Sequence, residues 1–540
     1  MLFAVRSAAA LHRLLDLLPV FEGDDRVRCR FTLVPGSDFA ADALAAVDAA
    51  GARSIPWTEA LATTHDLILT ASPKGALDGL RGRRVLLPHG AGFNKALARE
   101  GSPGLPSGLD PAFLVSDGRP TAALHALAHP DQVEQLAARV PGARRHAVVA
   151  GDPTLDRILE SLDRRDAVRA ALGTGGRRLV VLSSTWGPQS LLSRHPDLPA
   201  ELAARLPYDG YQLALIVHPN EYSRTGAFDL ARRLRPALDA GLLLAAPYEE
   251  WAALLVAADA LVTDHGSVAL YAAALDLPVV AACDGTDELI PGSPMDRLLA
   301  AVPRLDPAAP VLPERPGGTR RFAGQAFALT GRCLETLRPE LYKLLGLVPP
   351  PYPVRPRPLP LPERAPYAPA AFAVRASVAG GEVAVERLPP WTELPFHHLA
   401  AECGRAGTRA LRSSALLYHR AGTPAETGWH HECRTAADWT AEAFEEYPNC
   451  RTAAVVLSPT TALLRRDGGA PVAVHVAPDR SGGRVRRTDP AAALSAVHAW
   501  LGAHPDAPGT LPATLTARFG STTHRIRLAV PTEAEAELPV

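Results

Sequence analysis

ADALVTDHGSVALYAAALDLPVV, residues 258–280, is the stretch whose reading decides the fold. An apolar run ends at Thr263-Asp264, a helical stretch begins near Ser267, and a second apolar run, Leu277-Pro-Val-Val280, follows it. Strand, helix and strand at this spacing make a βαβ unit, whose right-handed crossover lays the two strands parallel. Strands covered by helices on both faces are apolar throughout instead of alternating, as these are.

Working outward, the same alternation recurs. RRLVVLSS (177–184), YQLALIVHP (211–219), GLLLAAP (241–247) and LPVVAACD (277–284) predict the rest of this sheet. A separate series precedes it: LFAV at the start, VRCRFTLV (27–34), HDLILTAS (65–72), RRVLLPHG (83–90), AFLVSD (112–117) and RHAVVAGD (145–152). In the second of these, Val27, Cys29, Phe31 and Leu33 alternate with polar neighbours, which predicts a strand near a sheet edge. The expected class is therefore α/β, with two Rossmann-like domains over residues 1–157 and 158–346. The second closes with helices over 320–346 that break at Pro339.

Residues 347–370 are too rich in proline for helix or central strand and read as an extended spacer, an SH3-type ligand being the alternative. Beyond 370 the pattern becomes an α+β domain of unassigned role over 371–540. TAAVVLS (452–458), a hairpin turning at Asp467-Gly-Gly, a further strand region near 513–530 and an amphipathic helix in PAAALSAVHAWLGAH (490–504) are expected.

The chain has 540 residues, a formal net charge of −1, 47% hydrophobic and 21% charged residues, which suits two or three globular domains and offers no electrostatic case for nucleic acid. Six cysteines without CxxC spacing argue against a disulfide framework or a zinc ribbon and favour a reducing cytoplasm. Arg6, His12, Arg13 and Asp16 interrupt the apolar start, so it reads as a first strand and helix and not as a leader.

Candidate chemistry gathers at strand ends, where open α/β sheets bind ligands. His89-Gly-Ala-Gly-Phe-Asn-Lys95 follows one strand; Lys95 is one of only three lysines among 56 basic residues. His89 is placed to take a proton from a hydroxyl, and Lys95 to face a phosphate. Gly266 and Ser267 open a helix that suits a pyrophosphate, with Asp264 as helix cap or support. His218, followed by Pro219 and Asn220, together with Ser184 and Thr185, adds donors on the same rim. Gly173-Thr-Gly-Gly176 precedes its strand and lacks the lysine of a phosphate loop, so it reads as a turn. His397, His398, His419, His430, His431, Cys403 and Cys433 lack zinc-finger spacing, so no metal site is assigned to them.

In order along the chain, His89-Gly90 with Lys95, Gly151-Asp-Pro153 with Asp156, Ser183-Ser-Thr-Trp186, His218-Pro219, and Ala258–Asp264 with Ser267 resemble the motifs of the CDP-glycerol glycerophosphotransferases of teichoic-acid synthesis. The resemblance covers roughly residues 85–285. It implies a GT-B architecture of two facing Rossmann-like domains, the first binding the acceptor and the second the nucleotide donor. It further implies a catalytic base at His89 and donor-phosphate contacts at His218, Thr185, Gly266, Ser267 and Lys95, supported by Asp264, Ser184 and Asn220. His265 and Gly266 stand where the family has tyrosine and serine, and Pro88 where it has tryptophan.

The implied reaction moves a glycerophosphate or related polyol phosphate to a hydroxyl of a polyol, glycan or lipid-linked acceptor, in the cytoplasm or peripherally at the inner membrane face. The nucleotide-diphosphate donor is a substrate; no cofactor or divalent metal is implied. Two alternatives stand beside this: a sugar-nucleotide enzyme (a GT-B glycosyltransferase or a UDP-sugar 2-epimerase, which His218-Pro-Asn220 also fits), and a non-catalytic nucleotide-binding module.

Overall fold

The computed structural model describes residues 1–36, 40–88, 90–96, 102, 104–247, 249–283, 287–315, 317–363, 368–422, 435–481, 484–506 and 511–540. The first sheet comprises β1 (Leu2–Val5), β2 (Arg30–Leu33), β3 (Thr64–Thr70), β4 (Arg81–Leu86), β7 (Leu124–Leu127) and β8 (Ala147–Val149), with β5 (Val115–Ser116) and β6 (Arg119–Pro120) apart as a small hairpin. Its order is β2-β1-β3-β4-β7-β8, all parallel. β2 is at the edge, as its alternation predicts.

AFLVSD does not supply a sheet strand. Pro111–Leu114 is helical, capped by the Asp110 carboxylate, and the sheet position goes to LHAL instead. His125 breaks the apolar run of that stretch, which hid it. The ring is buried, and burial, followed by the nearby His146, lowers its pKa to about 4, so it sits in the sheet as a neutral imidazole.

The second sheet comprises β9 (Arg178–Ser184), β10 (Tyr211–Val217), β11 (Leu243–Leu244), β12 (Ala260–Thr263) and β13 (Val279–Ala281), in the parallel order β11-β10-β9-β12-β13. β9 and β12 are neighbours although they lie far apart in sequence, so the order reverses there and opens a crevice at their carboxyl ends. The closing helix Cys333–Leu345 runs through Pro339 without breaking. Pro339 is exposed and removes only one hydrogen bond on the solvent side, while Leu334, Leu337, Leu341 and Tyr342 bury against Phe3, Leu11 and Phe21 of the first lobe.

Residues 349–363 are extended, without helix or strand, but they do not hang free between domains. Arg338 donates to the Pro350 carbonyl, Tyr352 Oη to the Glu22 carbonyl and Arg157 Nε to the Arg357 carbonyl, while the Leu359 N–H donates to Ser161 Oγ. The proline segment is strapped across both lobes, because a chain with few N–H groups offers its carbonyls to arginine side chains.

The carboxy-terminal part is more regular than an α+β reading implies. Nine strands, β14 (Ala371–Ala379), β15 (Glu382–Leu388), β16 (His398–Glu402), β17 (Leu416–Arg420), β18 (Thr452–Ser458), β19 (Thr461–Arg466), β20 (Pro471–Val476), β23 (Ala513–Phe519) and β24 (Thr522–Ala529), close into a barrel. β21 (Asp479–Ser481) and β22 (Arg484–Arg486) pair separately. Closure removes the exposed sheet edges that an open sheet would carry.

Helix Pro490–Ala503 packs against strands around this wall, and its residues from Pro490 through Ala496 are all buried. It is therefore apolar all round and not amphipathic, since an enclosed helix has no wet face. Arg387 on β15 docks the barrel on the second lobe: Nη2 and Nε donate to Asp209 and Nη1 to Asp489. No helix among the described residues is long and apolar enough to cross a membrane.

Candidate functional site

The carboxyl ends of both parallel sheets face one cleft of about 740 Å³. Arg6, Ser7, Ser72, Lys74 and Gly90 line it from the first lobe, and Thr185, Trp186, His218, Ser267 and Glu288 from the second. A smaller cavity of about 140 Å³ shares Gly90, Thr185, His218 and Ser267 with it and continues toward Glu249, Trp251 and Tyr271. Gly90 marks the junction. A Cβ built on it would lie 3.6 Å from Ser267 Oγ, so the glycine loop after β4 meets the helix start after β12 across the gap. His89, expected to be the base, lies outside the described residues.

Backbone pairing clasps the two lobes beside the cleft. Ala96 N–H donates to the Glu288 carbonyl at 2.8 Å and Ile290 N–H to the Asn94 carbonyl at 2.9 Å. This pairing carries Lys95 over the second lobe, where its Nζ donates to Thr185 Oγ1 at 3.1 Å. Lys95 and Thr185, 90 positions apart, are thus direct partners, and a cation and a hydroxyl share one wall.

His218 caps helix Pro219–Thr225, its Nδ1 accepting from the Asn220 N–H at 3.1 Å. An accepting Nδ1 places the proton on Nε2, so the ring is a donor in the tautomer suited to an anionic oxygen. Asn220 acts through its backbone there, fixing that ring. Ser184 Oγ accepts from Leu192 N–H and donates to the Thr185 carbonyl, which makes it a brace for the loop after β9.

Asp264 is fully buried and does not cap the helix that follows; Ser267 holds the N-cap position and makes no side-chain cap hydrogen bond. Asp264 Oδ2 accepts from the N–H groups of Thr185 (2.7 Å) and Leu191 (2.9 Å), and Oδ1 from that of Gly266 (2.9 Å). One carboxylate ties the β9 loop to the β12 loop. The Gly266 N–H, expected to face a phosphate, donates to this carboxylate. A side chain at 266 would come within 3.1 Å of Asp264 Oδ1, which accounts for the glycine.

Two further features escaped the linear reading. His265, fully buried, shares a 2.7 Å hydrogen bond between Nε2 and Glu288 Oε2, and both residues line the cleft. Burial raises the Glu288 pKa, but the hydrogen bond and charge of His265, with Lys95 nearby, outweigh it and hold the carboxyl below its ordinary range.

Arg13, also buried, donates through Nη1 and Nη2 to both oxygens of Asp152 (2.7 and 2.5 Å), and through Nε to the Pro88 carbonyl at 3.0 Å. Tyr271 Oη from the second lobe donates to Asp152 Oδ2 at 3.1 Å. This network fixes the residue immediately before His89. A reader of the sequence sees Arg13 only as an interruption of an apolar start; its partners are 75 and 139 positions away.

The chain matches no protein-family model, and no curated protein sequence matches it. Solved structures similar to it include a variant of the wall teichoic acid polymerase TagF, 13% identical over 64% of this chain and 88% of that one, with a TM-score of 0.45. The UDP co-structure of S. aureus MnaA is 11% identical over 64% and 97%, TM-score 0.40. A UDP-GlcNAc 2-epimerase from Neisseria meningitidis bound to UDP-GlcNAc is 10% identical over 63% and 99%, TM-score 0.41.

Proposed function

We propose that this chain transfers a glycerophosphate, or a related polyol phosphate, from a CDP-activated donor to an acceptor hydroxyl. The observation that carries the reading is the convergence of Lys95, Thr185, His218 and Ser267, from both lobes, on one cleft beside Gly90. A diphosphate needs several donors around its oxygens, and a cation, an imidazole N–H and two hydroxyls supply them without a metal. The narrower cavity toward Trp251 takes the nucleoside, and the wider one the acceptor.

In the proposed step the acceptor oxygen attacks the phosphorus that bears the glycerol. The new O–P bond forms as the bridging P–O bond breaks, CMP leaves with the electron pair, and His89 takes the acceptor proton. Positioned proton transfer of this kind is worth about 10² to 10⁴ in rate.

Radiolabelled CDP-glycerol with crude lipid or cell-wall acceptor tests the reading, alongside calorimetry with CDP-ribitol, UDP-sugars and GDP-sugars. Label transfer that His89→Ala abolishes while CDP-glycerol binding persists is the expected result. Normal transfer by His89→Ala overturns the assignment of the base, and exclusive binding of a UDP-sugar overturns the donor.

A further inference from the structure

At one end of the barrel three imidazoles meet. β16, β17 and β18 run parallel, so the starts of β16 and β18 lie at the same end. His397 and His398 stand at the first of these starts and Thr452 at the second, while His498 reaches them from the enclosed helix Pro490–Ala503. The ring centroids of His398 and His498 are 4.4 Å apart, those of His397 and His398 5.2 Å, and those of His397 and His498 5.9 Å. One ring nitrogen from each lies within 4.8 Å of the other two.

We propose that His397, His398 and His498 bind a transition-metal dication, of which Zn²⁺ is the representative. The inference is independent of the transfer reaction, because the site lies in the barrel and shares no residue with the cleft.

Geometry is the first argument. Three atoms no more than 4.8 Å apart leave a point within about 2.8 Å of each (the circumradius of such a triangle), against the roughly 2.0–2.1 Å of a Zn–N bond. Closing that gap takes less than about 1 Å per ring. Nδ1 of His397 and Nδ1 of His398 are 2.9 Å apart, so this contact holds the buried His398 ring through Nδ1 and leaves its Nε2 as the nitrogen to offer.

Unmet hydrogen bonding is the second argument. His398 is 4% exposed, yet its Nε2 has no hydrogen-bond partner among the described residues, a condition that native interiors avoid. Orientation is the third. Thr452 Oγ1 and His498 Nδ1 are 2.7 Å apart, so the hydroxyl holds one ring nitrogen and leaves Nε2 as the one to offer, the outer support that metal-bound histidines usually have. Imidazole donors select zinc, nickel, cobalt or copper over magnesium and calcium. His397 is exposed, which gives the ion an entry path and leaves a fourth position for water or an outside ligand.

The test uses the full chain, stripped with a chelator and titrated with Zn²⁺ alone by calorimetry, and separately with Co²⁺ followed by its visible d–d absorption. One Zn²⁺ per chain is expected at this site, with a four-coordinate Co²⁺ spectrum. His498→Ala and His397→Ala should each lose at least the roughly 10- to 100-fold in affinity that removal of a mere outer support costs, and Thr452→Val a loss within that range. His397→Ala alters an exposed residue and so keeps the test decisive if His498→Ala does not fold. No Zn²⁺ uptake by the parent chain, or uptake of equal affinity by His397→Ala, overturns the proposal.

Discussion

Replacing Arg13 with methionine probes the joint that holds the Pro88 carbonyl at the end of β4. Arg13 is 4% exposed and Asp152 1%, and the pair shares two hydrogen bonds, so the substitution keeps most of the volume but leaves a carboxylate buried without its cation. Breaking a buried ion pair from one side costs about 3–5 kcal/mol. Tyr271 Oη and the Leu155 N–H still reach Asp152, which places this case at the lower end, about 3 kcal/mol. Denaturant unfolding of the full chain should show the transition of the two-lobed region moving to lower concentration by that amount. The double variant Arg13→Met, Asp152→Asn removes the stranded charge and should recover about 1–2 kcal/mol, a coupling of the size seen between residues in one network. Turnover should fall in both variants, since Pro88 loses the donor that holds its carbonyl. An unchanged transition in Arg13→Met, or strictly additive effects in the double variant, would refute the reasoning.

Asp264→Ala removes the acceptor of three buried backbone N–H groups, each worth about 1–3 kcal/mol when orphaned, so a loss of roughly 3–9 kcal/mol with weakened nucleotide binding is expected by denaturant unfolding and calorimetry. Asp156 gives a pH signature: burial raises its pKa to about 6 despite N–H donors from Cys333 and Gly331. A carboxyl raised in the folded state stabilises it fully below the unfolded value and loses that contribution as pH rises through the folded one. Relative to Asp156→Asn, the parent chain should therefore gain about 1 kcal/mol between pH 6 and pH 5; a difference flat across that window contradicts the assignment. Arg387→Met strands Asp209 and leaves Asp489 to Arg420 alone, and should lower the melting temperature of the barrel region, an effect of about 3–5 kcal/mol.

Both parallel sheets were legible because most of their strands are apolar runs followed within a few residues by Ser, Thr, His or Asp near the crevice. β7 was not, since a buried histidine imitates a loop in a linear reading. Helix Pro490–Ala503 was legible as a helix but not as the occupant of a barrel. Its burial on all sides depends on strands up to more than a hundred positions away, and barrel closure rests on the pairing of β14 with β16, which no local pattern announces. In the cleft, single residues at strand ends could be read, whereas their couplings could not. Asp264 as a three-way brace, His265 against Glu288, and Arg13 behind Pro88 all join segments that only the folded chain brings together.

The central claim, one diphosphate gripped from both lobes, is tested most directly by titrating CDP-glycerol into the full chain and into Lys95→Met. Lys95 comes from the first lobe and its partner Thr185 from the second, so loss of the cation should weaken binding by about 1.5–3 kcal/mol, roughly 10- to 150-fold. Equal affinity in the two proteins, or no binding of CDP-glycerol by the parent chain, would contradict it.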